Sequence, residues 1–233
     1  MAMTDRKFKN WDTIYKKLEI VQKKPVIVVK KFVEFLLKNK KSKFIILDQG
    51  CGTGRHTLFL IDYFIKNKIK ARIDAFDNSK KAISILKKIL SEKKIPNDTL
   101  SVNCFVYNLN KKLPYRDYYF NGILSILVIE HGKIKQIYKW CDELKRILKK
   151  GGLLTLVVPS TSDSLFNTGR KIEPNTKINI TQADGNIPHH FFTSAEIEKD
   201  LFNDFEIVYK KLQRDQGTTS EKSVKYWQYI LKK

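Results

Sequence analysis

The sequence predicts an α/β protein: a doubly wound, seven-stranded sheet, mostly parallel, closed by a C-terminal antiparallel hairpin strand. Three observations carry this expectation. Short apolar runs alternate with amphipathic helical stretches about five times between residues 43 and 159, the order that winds parallel strands with helices on both faces. Gly50, Gly52 and Gly54 crowd together directly after the first such run. The chain ends in two strand-like runs separated by a turn-rich segment, the mark of an antiparallel hairpin.

The elements follow in order. "WDTIYKKLEI" and "PVIVVKKFVEFLLKNKK" precede the glycines. The second has apolar residues at 28, 29, 32, 33, 36 and 37, a helical stripe, and Pro25 suits its first turn. "KFIILD" (43–48) is a short buried strand, and "TLFLIDYFIKNK" (57–68) is helical. "ARIDAFD" (71–77) is the second strand. "SKKAISILKKILSEKK" (79–94) is an amphipathic helix that Ser79 can cap. "LSVNCFVYNL" (100–109) alternates as a third strand, and "GILSIL" (122–127) is a fourth. "KIKQIYKWCDELKRILKKGG" (133–152) is a helix ended by glycine. "LLTLVVP" (153–159) is a fifth strand stopped by Pro159. The alternation then lapses over 160–192. Thr193 to Glu196 form a capping-box signature that opens a last helix. "FEIVYKKLQ" (205–213) and "VKYWQYIL" (224–231) supply the hairpin.

Composition bounds the function. At 233 residues and 42% hydrophobic, the chain can bury one sizeable core. No run approaches 18 apolar residues, so no membrane span is expected. The N-terminal "MAMTDRKFKN" lacks the apolar core of a signal peptide. Cys51, Cys104 and Cys141 are odd in number and lack metal-ligand spacing, which suits a reducing cytoplasm. The net charge of +21 points toward nucleic acid. Only seven of the 45 basic residues are Arg, however, and Arg is the preferred reader of phosphate and base edges. The lysines are scattered over most helices, as on a solvated surface.

In a doubly wound sheet, ligands bind beyond the carboxyl ends of the strands, where the strand order reverses. The glycine turn lies there, and its glycines let the backbone turn tightly and a ligand approach. A dinucleotide site wants Gly-x-Gly-x-x-Gly, but the third position here is Arg55. Asp48 beside the turn would repel a pyrophosphate and favour a ligand that carries an ammonium. No Gly-Lys-Ser/Thr follows, which excludes a P-loop. Asp77, ending the second strand, is placed to accept hydrogen bonds from ribose hydroxyls of any adenosine ligand.

"ILDQGCGTGRHT" resembles the first motif of class I S-adenosylmethionine-dependent methyltransferases, which have a Rossmann-like fold. The resemblance continues through "FDNS", "LPYRDYYFNGILSILVIEHG" and "ELKRILKKGGLLTLVVPS" and covers roughly 44 to 159. Within the family it is similar to type 11 and type 25 methyltransferase domains. "VQKKP" and "IEPNT…IPHHFFT" look like a poorly characterised microbial subgroup. The resemblance implies methyl transfer from S-adenosyl-L-methionine, leaving S-adenosyl-L-homocysteine. It places Asp48, Gly50, Cys51 and Gly52 around the methionine end of the cofactor and Asp77 and Asn78 at the ribose. Asn108 and Leu109 would flank the adenine, and Ser125 and Ile126 the methionyl side. Asn108 stands where an aspartate often meets the adenine amine, and Asn121 replaces a common aspartate.

A single domain follows: an N-terminal helical cap (1–42), a cofactor-binding core (43–159), a substrate-side insertion (160–192), and the last helix with the hairpin (193–233). A base is needed only if the methyl acceptor must lose a proton. His131, His189 and His190 are the candidates, and His56 reads as structural. No metal is expected, because adjacent histidines need not point the same way and no carboxylate completes a triad. Trp11, Tyr15, Arg170 and Phe191 are expected to wall a small acceptor pocket under the insertion. The expected partner is a small molecule. An RNA methyltransferase is the second reading and a cofactor-binding pseudoenzyme the third. Against RNA, the fourth strand runs into "SILV" and lacks the Asn/Asp-Pro-Pro-aromatic signature of enzymes that methylate base amines.

Overall fold

The computed structural model describes residues 11–17, 24–180, 186–216 and 223–233. The first ten residues, most of "VQKKP" and the turn between the last two strands (217–222) lie outside the described residues. Helices α1 (Trp11–Lys17) and α2 (Ile27–Leu37) precede strand β1 (Phe44–Gln49). The core continues through α3 (Arg55–Lys66), β2 (Ala71–Asp77), α4 (Lys80–Ser91), β3 (Leu100–Val106), β4 (Phe120–Ile126), α5 (Ile134–Ile147) and β5 (Leu148–Pro159). Beyond it come β6 (Arg170–Glu173), β7 (Thr176–Ile178), β8 (His189–His190), β9 (Glu206–Gln216) and β10 (Ser223–Lys232).

Seven strands form one sheet in the order β3-β2-β1-β4-β5-β10-β9. The first five are parallel. β10 runs antiparallel between β5 and β9. The apolar runs of β1, β2 and β4 are buried on both faces, as a parallel sheet covered by helices requires. On one face Val28, Phe32, Leu60 and Phe64 from α2 and α3 pack against Ile46 and Ile73. On the other Trp140, Leu144, Phe202 and Tyr229 pack against Leu47 and Leu156. From β1 the chain steps outward to β2 and β3, then returns to place β4 on the other side of β1. The strand ends part at that reversal and open a crevice.

Three segments differ from the sequence expectation. α5 ends at Ile147, and Gly151 and Gly152 lie in β5, in a bulge where Phe120 pairs with Leu148 and Gly122 with Leu153. The last carbonyls of α5 are met by Lys233, whose ammonium donates to the carbonyls of Lys145 (2.6 Å) and Leu148 (3.0 Å), so no glycine cap is needed. The 160–192 segment holds a 3₁₀ turn (Ser164–Asn167) and the three-stranded antiparallel sheet β6-β7-β8. The last helix is a π-helical turn, Glu196–Leu201, opened by Thr193 Oγ1 accepting from Glu196 N–H at 3.1 Å.

Asn121 bridges the two central strands: its Oδ1 accepts from Ile45 N–H at 2.9 Å. Asn121→Leu leaves that donor unpaired and should cost about 1–3 kcal/mol in urea unfolding. Asn121→Asp keeps an acceptor and should cost less. Equal losses in the two variants would reject a role for this bond.

Candidate active site

β1 ends in a turn of left-handed glycines, with φ of 63° at Gly50 and 55° at Gly52. The space beside them is filled by the protein itself. A Cβ on Gly50 would lie 2.4 Å from Val128 Cγ2, and one on Gly52 would lie 2.6 Å from the Tyr15 hydroxyl. Cys51 N–H donates to the Phe76 carbonyl (3.0 Å), and Gly52 N–H to Asp77 Oδ2 (2.9 Å). The other Asp77 oxygen accepts from Ser79 N–H at 2.9 Å. Burial pushes the Asp77 carboxyl upward, and the Ser79, Gly52 and Asn78 amides oppose it. Each Asp77 oxygen keeps a second lone pair at the wall of the cleft.

The cleft has a volume of about 600 Å³, in the range of small-molecule and cofactor sites. Its wall carries the rings of Phe76, Tyr107 and Trp140, with Asn108 and Leu109. Asn108 Oδ1 accepts from Asn110 N–H at 2.9 Å, which fixes the loop after β3. Flat apolar rings, a polar amide edge and a carboxylate beside the glycine turn fit the base and ribose of an adenosine cofactor. The same wall includes Leu127, Val128, Glu130, His131, Leu165, Ile180, His189, Phe191 and Tyr226.

Helix α1 roofs the cleft. Asp12 Oδ1 accepts from Ser79 Oγ (2.6 Å) and Lys81 N–H (3.0 Å), which clamps α1 to the start of α4. The Trp11 ring meets His131 edge-on, with centroids 4.7 Å apart. His131 also packs on His189 at 4.6 Å. Its Nδ1 donates to the Pro188 carbonyl at 3.3 Å.

Of the residues expected from sequence, Gly50, Cys51, Gly52, Asp77, Asn78, Asn108, Leu109, Ile126, Trp11, Tyr15, His131, His189 and Phe191 line this one cleft. Four expected residues do not. Asp48 is buried behind the glycine turn, where its Oδ2 accepts from Thr57 Oγ1 at 2.6 Å. Ser125 is fully buried and meets Gln49 Nε2 at 3.3 Å. Arg170 is exposed on β6. His190 is fully buried, with Nδ1 on Thr176 Oγ1 (2.8 Å) and Nε2 on Glu196 Oε1 (2.9 Å). It pins the insertion and does not reach the cleft.

The sequence reading missed Tyr107, Trp140, Tyr226 and, above all, Glu130. A glutamate set among the apolar residues of "LVIEHG" is the one sequence signal by which Glu130 could have been found. Burial dominates the ionisation of the site. It raises Glu130 to about 8 and Asp48 to about 7, the latter opposed by the Thr57 bonds. It lowers His131 to about 3, helped by His189, and His56 to about 3, helped by Arg55.

Residues 46–152 match the model of a methyltransferase-domain family, type 25. Several solved structures share the fold. A methyltransferase dependent on S-adenosylmethionine from Methanosarcina mazei superposes with a TM-score of 0.69 at 19% identity, covering 90% of this chain and 98% of that one. The Burkholderia thailandensis 1,6-didemethyltoxoflavin-N1-methyltransferase, solved with S-adenosylhomocysteine, gives 0.59 at 16% identity, covering 89% and 78%. Magnesium protoporphyrin IX methyltransferase from Synechocystis, solved with S-adenosylmethionine, gives 0.57 at 13% identity, covering 88% and 78%.

The buried Asp48 carboxyl makes a pH prediction. Its pKa in the folded chain is about 7, against about 4 when unfolded. Between those values the folded chain holds a proton that the unfolded chain has released. Its contribution to stability is therefore complete below about pH 4 and is lost as pH rises to about 7. Asp48→Asn retains an acceptor for Thr57 and removes the titration. Relative to wild type, the variant should gain stability between pH 4 and 7, on the order of a few kcal/mol. Urea unfolding at stepped pH measures this, and a difference that does not change with pH would refute it.

Proposed function

We propose that the chain is a class I S-adenosylmethionine-dependent methyltransferase, with S-adenosylmethionine as its cofactor and a small molecule as its methyl acceptor. The observation that carries this reading is the lining of the cleft, where Trp11 and Tyr15 from α1 and His189 and Phe191 from the insertion share one wall with the glycine turn. A cleft of about 600 Å³ has room for the cofactor and, at its acceptor end, a modest acceptor. The cofactor, when bound, supplies an electrophilic sulfonium methyl. The protein's part is to hold donor and acceptor in line in a site shielded from water.

In this reading Asp77 holds the ribose, and the ring-lined end of the cleft takes the adenine. The backbone of Gly50, Cys51 and Gly52 faces the methionine portion. Trp11, Tyr15 and Phe191 are acceptor walls, and His131 and His189 stand beside the transferable methyl. RNA is the second reading, favoured by the net charge of +21. Nothing in the cleft itself supports it.

Calorimetry should show binding of S-adenosylmethionine and S-adenosylhomocysteine and none of NAD. Asp77→Ala should weaken S-adenosylhomocysteine binding by about 1–3 kcal/mol, the range for leaving buried donors unpaired. With methyl-labelled cofactor, label should enter a small-molecule extract and not an RNA fraction. RNA binding should be weak and should fade steeply with salt. Salt-resistant binding and labelling of one RNA would overturn the small-molecule reading.

A further inference from the structure

We infer that Glu130 is a catalytic residue of the methyl transfer, the carboxylate that takes the proton released by an acceptor O–H or N–H. The inference rests on the reading of this end of the cleft as the acceptor site.

Position is the first argument. After β4, Leu127 adopts a left-handed backbone with φ of 56°, uncommon for a residue with a side chain and a recurrent feature of functional sites. It reverses the chain so that the 3₁₀ turn Ile129–His131 follows at the cleft wall. Glu130 lines the cleft yet is only 2% exposed. Among the described residues its Oε2 is buried without a hydrogen-bond partner. Native proteins pair almost all buried polar atoms, and an unpaired one calls for a reason such as catalysis.

Four other ionisable groups of the cleft, His131, His56, Asp77 and Asp163, are held neutral or already accept hydrogen bonds. The Pro188 carbonyl can only accept, so His131 Nδ1 must carry a hydrogen. In the neutral ring Nε2 is then a lone pair, 3.6 Å from Glu130 Oε1. Burial keeps the ring neutral, so His131 is a poor proton sink. His56 is likewise held neutral by burial and Arg55. Asp77 accepts two backbone amides. Asp163 accepts from Leu165 N–H (2.7 Å) and Lys225 N–H (2.6 Å).

The step balances as a displacement. The acceptor oxygen or nitrogen bonds to the methyl carbon while the carbon–sulfur bond breaks, and sulfur keeps that electron pair. The acceptor's proton passes to Glu130 Oε2 and leaves to water with the product. Burial holds the Glu130 carboxyl at about 8, so the carboxylate, the active form, grows in as pH rises through that value. His131 on its own turn, His189 on β8, Tyr226 on β10 and Tyr15 on α1 are the ionisable neighbours on this part of the wall. Arg55 and Asp163 are charged groups elsewhere on the cleft wall.

The test compares wild type, Glu130→Gln and Glu130→Asp. Labelled S-adenosylmethionine is supplied with a small-molecule extract and, separately, an RNA fraction. Glu130→Gln should lower label transfer by about 100-fold or more, with S-adenosylhomocysteine affinity unchanged by calorimetry. Glu130→Asp should recover part of the rate, with a shifted pH profile. Independently of turnover, the infrared difference between wild type and Glu130→Gln should show a protonated carboxyl that vanishes as pH rises through about 8. Undiminished transfer by Glu130→Gln, a loss matched by lost cofactor affinity, or no protonated carboxyl near neutral pH would each overturn the inference. Label in RNA would overturn the small-molecule reading alone, because the variants are compared on whichever fraction takes label. If neither fraction does, the infrared titration decides, with Glu130→Asp as the reference should Glu130→Gln fail to fold.

Discussion

The hydrogen bond from Gly52 N–H to the Asp77 carboxylate is the tie on which the site depends. It joins the turn after β1 to the end of β2 and fixes the Asp77 side chain. The other Asp77 oxygen holds Ser79 N–H at the start of α4. Ser79 Oγ accepts from Ala82 N–H and donates to Asp12, which anchors the roof helix α1. Through α1 the relay reaches Trp11 and its contact with His131. A short run of contacts thus links the glycine turn, through Asp77, Ser79 and Asp12, to Trp11 and His131.

Around this tie the protein keeps its ionisable groups neutral or paired. Asp48 and Glu130 are shifted upward by burial, and His56 and His131 downward. All four shifts have the same leading cause, the cost of holding charge away from water. In such surroundings a group that does become charged interacts strongly with whatever lies beside it, here the developing charges of a displacement reaction. The excess positive charge belongs elsewhere, on lysines such as Lys30, Lys81 and Lys88 along the outer faces of the helices.

The insertion and the hairpin complete the enclosure from the far side. Asp163 ties the start of the insertion to β10 through Lys225 N–H. Trp227 Nε1 donates to the Phe192 carbonyl at 3.1 Å, and His190 locks β7 and β8 to the π-helical turn through Thr176 and Glu196. Buried, with both ring nitrogens bonded, His190 is fixed between β7 and the π-helical turn. That leaves His189, its neighbour in sequence, facing the cleft.

The sequence alone determined the alternation of strands and helices, the glycine turn, the place of Asp77 and the Ser79 cap. These are local properties: side-chain period, capping chemistry and the φ freedom of glycine act over a few residues, so they can be read in order. The tertiary structure decided which side chains face the cleft. His189 and His190 are indistinguishable in sequence, and the pairing of Lys177 with His189 and Thr176 with His190 sends one to the cleft and the other to the core. Asp48 and Asp77 both stand at the ends of strands, yet Asp48 turns to Thr57 on α3 and Asp77 to the cleft. The α5–β5 junction was likewise settled by a distant residue, the C-terminal Lys233. Glu130 escaped the sequence reading because its exposure to the cleft depends on a left-handed turn at Leu127, held by Leu127 N–H donating to the Val157 carbonyl at 2.9 Å. Register, strand-to-strand pairing and a single reversed backbone angle are set by contacts far apart in the chain, and no local pattern encodes them.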